Sequence, residues 1–260
     1  MKRFFKDLKK FRGYTFYAVK SELKSEVATS HLNWLWWILD PIMFMFVYGF
    51  IVAIVFKEGE PSFPVFILVG LTVWNMVSGT INMSTTIIDK FSGVIKKIYI
   101  PKFILIIIRQ GTFLFKFFIS SALILVVMLI IGVPYSLSLL NYPLIVILMM
   151  VITFGFSSIL AHVGVFLPDL SKIMNIVMRM LFYMSGVFFN VIDKVPAPWG
   201  EILGYVNPFA FIMKEFRVIV IDGVNPDYML MGIWFLIGII LSVIGISLIY
   251  RYENTYVKVL

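Results

Sequence analysis

Cysteine is absent from this chain, which excludes disulfides, thiol chemistry and thiolate metal sites and leaves the redox compartment unmarked. Histidine is scarce: His31 and His162 stand alone, and neither belongs to an HExxH or comparable ligand spacing. No GxxxxGK[ST] run occurs, so the chain lacks the loop that cradles nucleotide phosphates and is not expected to hydrolyse ATP by itself. A GxSxG nucleophile elbow is missing as well. Charge is thin, at 14% of residues against roughly 25% in soluble domains. Asp40, Asp89 and Asp169 fall near the ends of apolar runs rather than paired within them, unlike the acidic relays of proton-coupled carriers. Together these absences weigh against proton coupling and against an intramembrane enzyme.

What is abundant is apolar surface. Hydrophobic residues make up 61% of the chain, where a soluble domain averages roughly 45–50%, and the mean hydropathy is +0.98. That excess needs a bilayer as solvent. Six runs reach the roughly 20 residues that a spanning helix requires: 34–56, 65–88, 103–133, 143–167, 173–191 and 228–250. They leave no independent soluble domain, so residues 1–260 read as one all-α integral membrane domain. Trp34, Trp36 and Trp37 open the first run as an interfacial aromatic belt would.

Basic residues run from Lys2 to Lys24 without the short apolar core and cleavage site of a signal peptide. Within residues 1–24, Phe4, Leu8 and Phe11 share one helical stripe. One reading is an amphipathic interface helix with its aromatics in lipid and its lysines toward anionic headgroups. The other is a plain basic tail that sets topology. The net charge of +8 is explained by its distribution rather than by nucleic acid. With the N-terminus inside, residues 1–33, 89–102, 168–172 and 251–260 hold fifteen of the 22 Lys and Arg, and the opposite loops hold four. By the positive-inside rule both termini are expected to be cytoplasmic.

Residues 192–227 are too polar and proline-punctuated to span, yet Phe209 to Ile221 are mostly apolar. Asn207-Pro208 reads as an N-cap with proline at the first helical position, and Pro198 opens a second short helix through Tyr205. A helix from Pro208 to Ile221 is only about 20 Å long, so a re-entrant hairpin between spans five and six is expected, the alternative being an amphipathic surface loop. Three cations fall inside spans: Arg109, Lys116 and Arg179. Burying one costs about 2.5–3.5 kcal/mol unless water or a partner meets it. Arg109 and Lys116, seven residues apart, share a face and suggest a track for an anionic head group. Snorkelling serves Arg109 and Arg179 equally well, and Lys116 has pairing with an acid such as Asp40, or outward snorkelling, as alternatives.

Several segments, in order, resemble the membrane subunit of polysaccharide-exporting ABC transporters. They are HLNWLWWILDP from His31 to Pro41, PVFILVGLTVW from Pro64 to Trp74, and IKKIYIP from Ile95 to Pro101. FLPDL after the fourth span, Asn207-Pro208 with Arg217, and Tyr252-Glu253 complete the set. Where that family often carries Arg-Asp after the fourth span, this chain has Pro168-Asp169. The resemblance implies a homodimer of six-span subunits in the bacterial inner membrane, with two cytoplasmic ATPase subunits that bind the ATP and magnesium. This chain itself would carry no cofactor and no catalytic or metal site. Residues 1–24 and 89–102 would dock on the ATPase, with Lys96, Lys97, Tyr99 and Pro101 coupling. Residues 192–227 would form an external gate with Trp199, Asn207, Pro208 and Arg217. The implied cargo is a polymer on an undecaprenyl pyrophosphate-type lipid, O-antigen first and teichoic acid next. A drug or small-lipid exporter subunit, and a membrane enzyme acting on a lipid-linked glycan, are the competing expectations.

Overall fold

Apolar runs without proline or glycine clusters fold as long helices, and the turns between them fall where those residues gather. The structure is a computed structural model and describes residues 2–28, 31–51 and 61–259. Its helices are α1 (Lys2–Val27), α2 (Trp36–Phe50), α3 (Phe63–Ser84), α4 (Ile87–Lys90), α5 (Ser92–Ile95) and α6 (Lys102–Ile131). They continue with α7 (Tyr142–Phe166), α8 (Leu170–Met184), α9 (Val191–Lys194), α10 (Trp199–Val206), α11 (Pro208–Arg217) and α12 (Tyr228–Val259). Among the described residues there is no strand.

Among the described residues, four helices are long and apolar enough to cross a membrane: α3, α6, α7 with the turn before it, and α12. α2 is apolar but shorter; residues 52–56 of the expected first span, and the first half of the linker after it, 57–60, lie outside the described residues. The bounds of the fifth expected span are corrected. The run 173–191 is not one helix: α8 starts earlier, at Leu170, and stops at Met184. Its 15 residues reach only about 22 Å. The cause lies beyond it, where Gly186 takes a left-handed φ of +67° and the Gly186 and Val187 carbonyls turn toward another segment's arginine. α12 continues helical past the sixth expected span, to Val259.

α3 is the hub, with 14 of its 22 residues buried among α2, α6, α7 and α11. α7 and α12 run together, and a Cβ on Gly155 would stand 2.8 Å from Leu241 Cβ, so a small residue there permits the close approach that membrane helices use. A second apolar cluster, with Ile104, Ile108 and fully buried Tyr256, lies beneath α1. Phe4, Leu8 and Phe11 pack on it, Phe4 meeting Phe103 at 4.8 Å. The expectation that this stripe faces lipid is therefore corrected: with a protein surface beside it, the stripe packs there, partly buried, and Phe5, Tyr14, Phe16 and Tyr17 are the exposed aromatics of α1.

Candidate functional site

The start of α1, the turn before α6 and the last turns of α12 meet at one end of the molecule. Arg3 Nη2 donates to Tyr99 Oη and to Glu253 Oε1, each at 2.7 Å. Tyr99 Oη donates to Glu253 Oε2 at 3.2 Å. The Arg3 guanidinium also lies over the Tyr250 ring, 4.4 Å from its centroid, and Tyr250 Oη donates to Asp7 at 2.8 Å. The hydrogen bond that Arg3 donates to Glu253 raises the Arg3 pKa further above its ordinary value, and burial raises that of the Tyr99 phenol, so Tyr99 serves as a protonated donor. Lys96 and Lys97 are exposed beside this clasp, whereas Pro101 is buried at the head of α6. At the same end His162 and Tyr256 share a 2.7 Å hydrogen bond that ties α7 to α12.

α1 then runs alongside α6, and their charges interlock. Arg109 Nη1 meets Glu22 Oε1 at 3.0 Å and Lys116 Nζ meets Glu26 Oε2 at 2.5 Å. Thr112 Oγ1 donates to the second Glu22 oxygen at 2.9 Å. With a spacing of seven residues on α6 and of four on α1, the two pairs form a two-rung ladder. The partner of Lys116 is Glu26, not Asp40. Arg179 is exposed on α8.

Lys116 also borders a cleft of about 400 Å³ between α2, α3 and α6. Asp40 and Asn75 are exposed at its walls. A Cβ on Gly79 would run into the Phe113 ring, so the missing side chain lets that ring form part of the wall.

The opposite end is built on α10 and α11. Asn207 Oδ1 caps α11 by accepting from Phe209 N at 3.0 Å, and Asn207 Nδ2 donates to Ser185 Oγ at 2.9 Å. Pro208 follows at the first helical position, and Trp199 is 64% exposed. Glu215, buried, accepts from Lys214 at 3.2 Å and from Asp227 N at 2.9 Å, which fixes the start of α12 to α11. Arg217, 8% exposed, is held by carbonyls: Nη1 donates to Gly186 O and Nη2 to Val187 O, both at 2.8 Å. Phe66 O accepts from Nε at 3.4 Å, and the Phe66 ring lies 3.4 Å from the guanidinium carbon. A Cβ on Gly70 would stand 2.6 Å from Arg217 Nη2 and 2.7 Å from Val187 O, so only glycine fits. Beside Arg217 opens a cleft of about 1140 Å³ that reaches Asn190 and Lys194.

Sequence reasoning did not find Arg3, Glu22, Glu26 or Glu215 as members of these networks. Glu22 and Glu26, one helical turn apart on a basic helix, were the available signal for the ladder.

Long apolar helices, a fastening that gathers three distant segments at one end, and short capped helices at the other make up an all-helical domain built for a bilayer. The chain belongs to the ABC-2 type transporter family, which matches residues 14–221; it is the membrane part of an ABC transporter and works with an ATPase. It is 26% identical over 240 residues to the O-antigen export system permease protein RfbA of Klebsiella pneumoniae, covering 92% of each chain. Its identity to the RfbA permease of Myxococcus xanthus is 26% over 227 residues, covering 87% of each. To the polysialic acid transport protein KpsM of Escherichia coli it is 24% identical, over 82% of this chain and 81% of that one.

Proposed function

We propose that this chain is the membrane-spanning subunit of an ATP-driven exporter that moves a lipid-linked polysaccharide, O-antigen foremost, across the bacterial cytoplasmic membrane. The carrying observation is that similarity to O-antigen export permeases runs nearly end to end rather than through one shared segment. Similarity to a polysialic acid transporter makes a capsular polymer the second reading.

In this reading two copies of the chain pair with two ATPase subunits, which supply ATP and magnesium, and the cargo rides on an undecaprenyl pyrophosphate-type lipid. Each copy spans six times, counting α2 and the α8 region with the four long helices. The clasp end is cytoplasmic, because residues 1–33, 89–102 and 251–260 hold most of the Lys and Arg. Lys96, Lys97 and Tyr99 meet the ATPase there, and Pro101 sets the start of α6. α10 and α11 form a re-entrant external gate in which Arg217 fixes the hairpin and Trp199 faces outward. Irregular backbone at that depth is tolerated because protein covers it.

The test is expression with the transporter's ATPase in cells deleted for their own O-antigen permease. Surface polysaccharide is expected to return. The purified chain alone is expected to show no ATP turnover, and the complex to contain two copies of each subunit by light scattering. Cells with both subunits abundant but no surface polymer would refute the proposal.

A further inference from the structure

We propose that the cleft between α2, α3 and α6 is a saccharide subsite that holds neutral sugar units of the cargo; this rests on the polysaccharide reading above. At about 400 Å³ the cleft is within the range of small-ligand pockets. Its walls carry what a sugar ring needs. Trp36 and Trp37 present aromatic surface for the apolar face of a pyranose. Asp40 and Asn75 supply a carboxyl and an amide for hydroxyl edges. Asn75 is the exposed residue between buried Trp74 and Met76, midway along the most buried of the four long helices.

Thr72 supplies the second observation. It lines the cleft at 4% exposure, and its Oγ1 has no hydrogen-bond partner among the described residues. Folded proteins rarely leave a buried hydroxyl unpaired; a sugar hydroxyl in the cleft satisfies it. The charges argue against the pyrophosphate as occupant. Lys116 is the cation on this wall, and Glu26 already neutralises it. Asp40 then adds a carboxyl that would repel a phosphate. The ammonium therefore shapes the wall instead of drawing in the head group, which revises the expectation of an anionic track at Lys116.

The experiment uses the complex with its ATPase in lipid nanodiscs and two probes: glycan released from its carrier by mild acid, and bare undecaprenyl diphosphate. Stimulation of ATP hydrolysis is titrated with each. Asn75→Leu and Thr72→Val are both compatible with a helix in an apolar surround, and the second keeps the side chain's shape. Each is expected to raise the half-maximal glycan concentration about tenfold, the equivalent of one lost hydrogen bond, while the bare-carrier titration keeps its midpoint. Glycan midpoints unchanged in both variants overturn the subsite. So does a shift confined to the bare carrier, which makes the cleft a head-group site. If the unmutated complex responds to neither probe and exports no polysaccharide, the cargo assignment itself fails, and the subsite with it.

Discussion

The ladder between α1 and α6 lends itself to a quantitative test. Arg109 and Glu22 approach to 3.0 Å with side chains 16% and 15% exposed. At an effective permittivity of 20 their attraction is about 5.5 kcal/mol before desolvation is charged against it. Charged hydrogen bonds retain a net of about 1.5–3 kcal/mol, a ten- to hundredfold effect on an equilibrium. The readout exploits the absence of native cysteine. A Cβ on Gly111 would stand 3.0 Å from Val19 Cγ2, so Val19→Cys with Gly111→Cys places two sulfurs within bonding reach. Their effective molarity in a glutathione buffer measures how firmly α1 is docked. Adding Glu22→Gln or Arg109→Gln to this pair is expected to lower that value at least about tenfold. Adding both is expected to cost no more than the worse single change. If the two effects simply add, within about 0.5 kcal/mol, the pair does not hold α1 and the reasoning is wrong.

Two further outcomes are expected. Replacing Lys96, Lys97 and Tyr99 together with alanine should leave the complex abundant and its ATPase turning over while export falls several-fold. The loss should be partial, since Arg3 in the clasp is 51% exposed and such pairs contribute about 1 kcal/mol or less; export at the normal rate would remove the coupling role. Gly70→Ala should destabilise the purified protein by about 1–3 kcal/mol, read as a lower melting temperature in detergent, because the new methyl meets the Val187 carbonyl as well as Arg217. An unchanged melting temperature would mean that the packing around Arg217 yields easily.

The long helices and the α11 start were legible because hydropathy and the Asn207-Pro208 cap act locally. What stayed hidden depended on partners distant in sequence. The interruption at Gly186 follows from a cation on α11 that claims two carbonyls beyond α8, and no window around residue 186 contains that arginine. Arg109 and Lys116 were recognised as costly on the correct helix, but their answering carboxylates sit on α1. The amphipathic stripe of α1 was read correctly as apolar and wrongly as lipid-facing, since periodicity shows that a face is buried without showing against what.

The clasp also bears on how the protein is made. Arg3 and its partner Glu253 are separated by 250 positions, nearly the whole chain. During synthesis the first helix leaves the ribosome long before the residue that fastens it exists. Until α12 is finished, α1 has no final anchor at its leading end, and a chain cut short leaves Arg3, Asp7 and Tyr99 without Glu253 and Tyr250. The clasp can therefore close only after the last turns of α12 have been made and have folded back beside α1.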